Sequence, residues 1–183
     1  MTQPTRSPDD PDDSVLIARW QAGDERAATL LVERHAPSLS RYVASIGMRE
    51  DVEDVVQDTF IRAFASLESF RGDSALRTWL CTIARNLVRD RVRSLKFERK
   101  MVEIEEQHAV TEHDALDDSV ADETEGRMME AVGRLTPMQR EVFTLRVGEG
   151  MAYKDIANVV GSSEGATRVH YHNAMRAIKE WLT

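Results

Sequence analysis

Residues 70–94 read FRGDSALRTWLCTIARNLVRDRVRS, and this stretch predicts a long amphipathic helix. Gly72 precedes Asp73 and Ser74, either of which can cap the first free amides of a helix that runs to about Ser94. At about 100° per residue, apolar and polar side chains separate onto opposite faces. The apolar face holds Leu76, Trp79, Leu80, Ile83 and Leu87, and the polar face holds Thr78, Thr82, Arg85, Asn86, Arg89 and Arg93.

The polar face of this helix is cationic. Arg85, Arg89 and Arg93 recur at every fourth position with no acidic partner at position 81 or 82, so they repel one another by roughly a few tenths of a kcal/mol per pair. This repulsion predicts an outside anion, most simply phosphate. Phe70 and Trp79 can support an unstacked nucleic-acid base or belong to the core. From these residues alone, an ordinary salt-bridged helix remains an alternative.

The preceding helix is predicted over about residues 49–67 and carries the opposite charge. Its apolar side chains recur at spacings of three and four, which predicts that one face of the helix is buried in a core. Asp51, Asp54 and Asp58 form a negative stripe on the other face. The stripe is either a solvated face or a partner surface.

Two further helices are predicted before it. The first is capped by Asp13 or Ser14 and stops near Gly23. The second begins at Asp24 and ends at Gly47. Pro37 is expected to kink or interrupt this second helix, because proline lacks the amide donor.

The C-terminal part shows a second helical module. LTPMQREVFTLR (135–146) starts with Thr136 as N-cap, Pro137 at the first helical position and Gln139 where a capping box needs it. A short helix follows over AYKDIANVV (152–160), then a glycine turn, then a final helix capped by Ser163. This order is typical of a helix-turn-helix, whose second helix enters the major groove, although a plain three-helix bundle shares the pattern.

Charge is unevenly distributed along the 183 residues, whose net charge is −8. Residues 71–100 carry nine basic and three acidic side chains, whereas residues 101–126 carry ten acidic side chains and no Lys or Arg. The acidic segment has too few large apolar residues to offset the entropy of ordering. The predicted organisation is all-α, with a disordered tail (1–12), a helical module (13–97), a flexible acidic linker (98–125) and a helix-turn-helix module (126–183).

Several classes of function are disfavoured. The apolar stretches are too short to cross a bilayer and no export signal is visible, so a cytoplasmic protein is expected. A single cysteine, Cys81, rules out an internal disulfide and a cysteine-rich zinc site. No P-loop or GxGxxG motif is present, so neither a cofactor nor enzyme chemistry is expected.

Three segments together carry a family resemblance: GDERAATLLVERH (23–35), DVEDVVQDTFIRAFASLESFRGDSALRTWLCTIARN (51–86) and LTPMQREVFTLRVGEGMAYKDIANVVGSSEGATR (135–168). In this order they resemble the extracytoplasmic-function (ECF) group of bacterial sigma-70 family factors. The resemblance implies two partners, core RNA polymerase and promoter DNA, and a function in promoter-specific initiation. By family habit it also implies control by an anti-sigma factor.

The resemblance assigns roles to particular residues. The acidic helix would bind the polymerase clamp through Asp51, Asp54, Gln57 and Asp58. Asn86 would contact a base extruded from the minus-ten element near Phe70, and Arg85, Arg89 and Arg93 would hold phosphates. The final helix would contact the minus-thirty-five element through Arg168, Val169, His170, His172, Asn173 and Arg176.

The final helix departs from the family pattern. His170 and Asn173 stand where relatives are commonly basic, which predicts weaker phosphate attraction. Either the promoter sequence differs, because asparagine favours adenine where arginine favours guanine, or this module binds DNA poorly. His170 and His172 are not expected to form a metal site, because positions i and i+2 do not share a helix face.

Two alternatives to a working sigma factor remain. A sigma-like decoy would sequester an anti-sigma factor or another regulator without productive DNA binding. A free-standing helix-turn-helix regulator would bind duplex DNA without polymerase and would not need the acidic helix. Promoter-dependent transcription with purified core polymerase separates all three.

Overall fold

The computed structural model describes residues 11–48, 51–70, 72–105 and 123–182, and every regular element in these ranges is helical. The predicted all-α class is confirmed. The helices are α1 (Asp13–Gln21), α2 (Glu25–Ser45), α3 (Val52–Ala65), α4 (Leu76–Glu105), α5 (Glu123–Gly133), α6 (Pro137–Phe143), α7 (Tyr153–Val160) and α8 (Glu164–Leu182). A 3-10 turn at Leu67–Ser69 follows α3, and a π-helical turn at Thr144–Gly148 follows α6.

Helices α1 to α4 form the N-terminal module around a shared apolar core. Leu31, Leu39 and Val43 recur along α2 at helical spacing, and all three are buried. Val55 from α3 and Leu80 from α4 are buried in the same cluster. This packing leaves the outer faces of α3 and α4 exposed to solvent.

Pro37 does not interrupt α2, which runs without a break from Glu25 to Ser45. The expected interruption is wrong, and the position of the proline explains why. Pro37 is exposed, whereas Leu31, His35 and Leu39 on the neighbouring face are buried. The carbonyl that loses its amide partner belongs to Glu33, which is also exposed, while packing on the inner face holds the helix together.

Helix α1 is anchored to α2 by Asp13. The helix begins at Asp13 with Asp12 in the N-cap position, so neither Asp13 nor Ser14 is the cap that the sequence predicts. The Asp13 carboxylate instead accepts a hydrogen bond from Arg34 Nη1 at 2.6 Å and lies 3.0 Å from His35 Nε2. Burial alone would raise the pKa of Asp13, but His35 and Arg34 outweigh it and lower the pKa from 3.8 to about 2.

We expect Asp13→Asn to remove part of the acid sensitivity of the fold. Because the folded pKa is depressed, the stabilisation is complete above pH 3.8 and is lost as the pH falls from about 4 to about 2. The Asp13 side chain is 30% exposed, so solvent screening reduces its contribution. We expect Asp13→Asn to lower the free energy of unfolding at neutral pH by about 1 kcal/mol. Urea unfolding at pH 7 and pH 3 measures it, with the exposed Asp90→Asn as the matched control. An equal pH dependence in both variants would contradict the assignment.

Helices α5 to α8 form the C-terminal module, and its predicted start is confirmed. The Thr136 hydroxyl accepts from the Gln139 amide at 3.4 Å, while Gln139 Oε1 accepts from the Thr136 amide at 3.2 Å. These reciprocal bonds form the predicted capping box with Pro137 in the first helical turn. The Ser163 cap is also present, because its hydroxyl accepts from the Ala166 amide at 3.1 Å.

The connection between the modules differs from the expected flexible linker at both of its ends. Helix α4 continues past Ser94 to Glu105, and α5 already begins at Glu123. Residues 95–105, LKFERKMVEIE, contain no glycine or proline, so they have no strong helix breaker despite their charge. The rest of the predicted linker, and the predicted tail apart from Pro11 and Asp12, lie outside the described residues.

The two modules pack directly against each other. Val142, Leu145 and Ile156 of the C-terminal module belong to the same buried cluster as Leu76 and Leu80 of α4. Helix α7 lies against α4. The modules therefore share a core, a contact that no local sequence pattern predicts.

Candidate nucleic-acid interface

The polar face of α4 is exposed in its middle and covered nearer its start. Asn86, Arg89 and Arg93 are exposed, and within the described residues their side chains form no hydrogen bond or ion pair. Thr78 was expected on this face but is buried, and the Thr82 hydroxyl donates to the Thr78 carbonyl at 2.9 Å. Because α4 is packed on more than one side, its accessible polar surface is narrower than the helical spacing predicts.

Arg85 has an internal partner, contrary to expectation. Its Nε donates to Glu141 Oε1 at 2.7 Å and its Nη2 to Glu141 Oε2 at 3.3 Å, which makes a bidentate pair. The side chain is only 14% exposed. The predicted need for an outside anion is therefore wrong for Arg85 in this arrangement, because the carboxylate of the C-terminal module supplies the charge.

Phe70 and Trp79 lie together at the entrance to α4. Their ring centroids are 5.0 Å apart and their planes are tilted by 38°. Both rings are half-buried against the core, so each keeps an accessible part. Gly72 permits the turn between them because its φ of 74° lies in the left-handed region. The pair thus lies at the start of α4, the helix that carries Asn86.

The residues of the final helix that are predicted to contact DNA differ in their exposure to solvent. Val169, His172 and Arg176 are exposed, while His170 and Asn173 are half-buried. Arg176 Nη2 lies 3.5 Å from Asn173 Oδ1. The described residues contain no group of three or more side chains that could ligate a metal ion.

Arg168 is held near the start of the same helix. It pairs with Glu164 at 2.6 Å, and its guanidinium lies 4.5 Å from the centroid of the Tyr153 ring. The side chain remains 59% exposed, so these contacts orient it without covering it.

Family comparisons match both modules in order. Residues 31–98 match the family described as Sigma-70 region 2, and residues 125–178 match Sigma-70, region 4. The ECF RNA polymerase sigma-E factor of Haemophilus influenzae is 34% identical over 180 residues, covering 91% of this chain and 93% of that protein. This chain belongs to the ECF sigma factors. The BldN sigma factor of Streptomyces coelicolor is 32% identical to this chain over 170 residues. The alignment spans 91% of this chain and 64% of BldN.

Solved sigma factor structures show the same fold. RpoE, in complex with the anti-sigma factor NepR from Bartonella quintana, has a TM-score of 0.68 and 27% identity, covering 84% of this chain and 95% of RpoE. CnrH, in complex with the cytosolic domain of CnrY, has a TM-score of 0.65 and 30% identity, covering 93% of this chain and 96% of CnrH. The two-domain, all-helical fold of this sigma factor is confirmed.

Family membership excludes one of the alternatives, the free-standing helix-turn-helix regulator. A free-standing helix-turn-helix regulator needs no region 2, whereas this sigma factor matches region 2 over the helices that carry the acidic stripe and the cationic face. The chain is therefore a promoter-selecting subunit of RNA polymerase. No helix within the described ranges has the length and hydropathy to span a bilayer.

The acidic stripe of region 2 is largely accessible. Asp51, Asp54 and Gln57 are exposed, and Asp54 forms no side-chain bond within the described part of the chain. Asp58 is partly engaged, because Arg91 of α4 donates to it at 2.8 Å and lies 4.0 Å from Asp51. The stripe thus offers carboxylates to a basic partner while Arg91 fixes its position on the bundle.

An apolar groove beside this stripe was missed by the sequence reasoning. It lies between α2 and α3, is lined by apolar side chains such as Val32, Phe60 and Phe64, and has Gln57 in its lining. Ile61 on its lining is 59% exposed, which is unusual for isoleucine. The sequence contained one indication of this groove. Ile61 is a large apolar residue that does not share the spacing of the buried residues of α3, so its side chain is expected to lie on the surface.

Proposed function

We propose that this ECF sigma factor binds core RNA polymerase through Asp51, Asp54, Gln57 and Asp58 and holds the melted minus-ten element on α4. The observation that carries the proposal is the separation of charge on region 2. Exposed carboxylates and an amide line α3, while exposed arginines and Asn86 line α4. Opposite charges on separate surfaces let the factor bind a basic protein surface and a polyanion at the same time.

The α4 surface has the chemistry for promoter opening. Asn86 presents an amide that can hydrogen bond to the edge of an extruded base, and the paired rings of Phe70 and Trp79 are a candidate stacking surface at the start of the same helix. Capture of an unpaired base offsets the few kcal/mol that unpairing costs. In this proposal Arg89 and Arg93, which follow Asn86 along α4 and are exposed, bind backbone phosphates of the same strand.

The exposed face of α8 contacts the minus-thirty-five element in this proposal. Arg168, Val169, His172 and Arg176 face solvent, with His170 and Asn173 beside them. Asparagine pairs best with adenine and arginine with guanine, so the promoter preference follows from these side chains. The stacking of Arg168 on Tyr153 supports its role, because it reduces the entropy lost on binding.

Reconstituted transcription tests the function directly. Core polymerase with this factor is incubated with fragments of the genome, and the RNA products are sequenced to locate their start sites. We expect products that share upstream minus-ten and minus-thirty-five sequences and that are absent with core polymerase alone. If no ionic condition yields promoter-selective RNA, the proposal is wrong.

Arg89→Ala tests the phosphate contact. We expect weaker promoter binding by the holoenzyme, by a similar factor on every promoter, and a salt dependence that is shallower by about one released ion. Binding constants measured over a range of salt concentrations give the slope, with the exposed Arg26→Ala on α2, outside both proposed interfaces, as the arginine control. A loss confined to one promoter sequence would contradict a phosphate contact.

Regulation by an anti-sigma factor is the remaining part of the proposal. The solved structures of RpoE and CnrH hold NepR and the cytosolic domain of CnrY, and both relatives match this chain over most of its length. Because a sigma factor acts together with RNA polymerase, we also propose that this factor acts in the cytoplasm. A sigma-like decoy is the second candidate, and it would bind a regulator without supporting RNA synthesis. It is favoured by His170 and Asn173 of the final helix, which stand where the resemblance leads us to expect basic residues.

A further inference from the structure

A tyrosine at the start of α7 contacts two arginines from other elements. Tyr153 is the first residue of α7, and its side chain is half-buried. The Arg168 guanidinium of α8 lies over the ring with its Cζ 4.5 Å from the centroid, and the Arg146 guanidinium of the π-helical turn lies over the same ring at 4.6 Å. Both distances are within the range of cation–π contacts. One aromatic ring thus links α8 to the turn that precedes the helix-turn-helix.

The backbone before Tyr153 is fixed in place. The Met151 amide donates to the Leu145 carbonyl at 3.0 Å, and Arg146 Nη1 donates to the Met151 carbonyl at 2.6 Å. Gly150 has a φ of 64°, in the left-handed region that glycine adopts without strain. Met151 is buried, so this turn belongs to the core of the module. Tyr153 therefore starts from a backbone that the fold itself positions.

Tyr171 of α8 restrains the same ring. The two ring centroids are 5.8 Å apart and the planes meet at 66°, which is an edge-to-face contact. Aromatic pairs favour this geometry because the positive edge of one ring meets the negative face of the other. Both tyrosines also pack against the buried cluster that contains Ile156. The position of the Tyr153 ring is therefore set before any DNA is bound.

Arg168 is restrained by this ring and by one carboxylate. It pairs with Glu164, one turn earlier on α8, at 2.6 Å. Both side chains of that pair are largely exposed, and water screens exposed pairs of this spacing so strongly that they hold their members only weakly. A cation–π contact at an exposed site is worth more than such a pair. The Tyr153 ring is therefore the main restraint on the orientation of the guanidinium.

This contact leaves Arg168 able to bind a ligand. Stacking uses the flat face of a guanidinium, whereas its five N–H donors lie in the plane of the group. Glu164 accepts from Nη2, and the side chain remains 59% exposed, so further donors are accessible. Ordering a flexible side chain at an interface lowers affinity by about two- to tenfold, and an arginine that is already ordered avoids most of this loss.

We propose that Tyr153 is a positioning residue, which holds Arg168 in the orientation that binds the minus-thirty-five element. Tyr171 supports this role by fixing the ring of Tyr153. The proposed contact between Arg168 and the minus-thirty-five element is the basis of this role. The aromatic face acts through Arg168, so the loss of the ring matters only while Arg168 is present.

A double-mutant cycle in the reconstituted holoenzyme tests this coupling. Fluorescence anisotropy of a labelled duplex that carries the minus-thirty-five element, without the minus-ten element, measures binding by region 4. We expect Tyr153→Leu, which removes the ring, to weaken binding about fivefold, and Tyr153→Phe, which keeps it, to stay within about twofold of the wild type. In a chain that already carries Arg168→Ala, Tyr153→Leu should weaken binding by less than about twofold.

Arg176→Ala is the matched control for the cycle. Arg176 is also exposed on α8, but it lies beside Asn173, about two turns further along the helix. The effects of Tyr153→Leu and Arg176→Ala should multiply, as they do for residues that share no contact. A module that is merely destabilised would instead lose binding to the same extent with either arginine variant. Circular dichroism of each full-length variant checks that its helix content is native.

Wild-type affinity in Tyr153→Leu, together with a loss in Arg168→Ala, would overturn the role of Tyr153 and leave the proposed function intact. A fivefold loss that persists in the presence of Arg168→Ala would also overturn it, as would equal losses in Tyr153→Phe and Tyr153→Leu.

A second variant covers the case in which Tyr153→Leu does not fold. Tyr171→Leu removes the edge-to-face contact, and it should weaken binding by about twofold or more only while Arg168 is present. Wild-type affinity in Tyr171→Leu would then overturn the proposal. Wild-type affinity in Arg168→Ala would refute the DNA contact proposed for Arg168, and the role of Tyr153 with it.

Discussion

Reversal of two charges on the acidic stripe, Asp54→Arg with Asp58→Arg, is expected to weaken binding to core RNA polymerase by at least about 100-fold. Like charges placed across an interface cost several kcal/mol, because two attractive pairs become repulsive ones. Asp54 is exposed and Asp58 is partly exposed on the same face of α3. Titration of labelled factor with core polymerase, followed by fluorescence anisotropy, measures the loss.

The control for this experiment separates position from charge. Glu25→Arg with Glu33→Arg changes the net charge equally, and both residues are exposed on α2. Asp58 also pairs with Arg91, so the variant with Asp54→Arg alone shows how much of the effect is independent of that pair. Equal affinity for the acidic-stripe variant and the control would refute the docking surface.

Asn86→Ala is expected to leave binding to core polymerase unchanged and to reduce promoter opening by about fivefold or more. A good pair of hydrogen bonds to a base is worth roughly 1–3 kcal/mol, which corresponds to about five- to 150-fold. The side chain is exposed and forms no bond within the described residues, so its loss should not destabilise the fold. The effect therefore appears only once DNA is melted.

Permanganate reactivity of unpaired thymines at a promoter found by RNA sequencing measures opening. Asn158→Ala is the matched control, because Asn158 is exposed on α7 and is not among the residues proposed to contact melted DNA. Thymine reactivity in Asn86→Ala that equals that of the control would exclude base capture by this residue. Reduced thymine reactivity together with weaker binding to core polymerase would indicate that Asn86 contacts the polymerase, which contradicts its proposed contact with DNA.

Several features of this sigma factor follow from local sequence. Helix positions, the capping box at Thr136, the Ser163 cap and the separation of acidic from basic helices are all patterns within a few residues, and each is present in the structure. Local patterns also give wrong boundaries where a tertiary contact changes the preference. Asp13 binds Arg34 and His35 instead of capping α1, and Pro37 lies inside α2 because packing holds that helix.

The sequence by itself determined the all-α class, the helix-turn-helix and which polar side chains share a helix face, because helical spacing fixes that arrangement. Only the tertiary structure decided which of those residues are accessible. Arg85 is satisfied by Glu141, 56 positions away, and Ser38 by Glu149, 111 positions away. Such pairs depend on the angle at which two helices pack, and that angle is set by the whole core and not by the spacing within either helix.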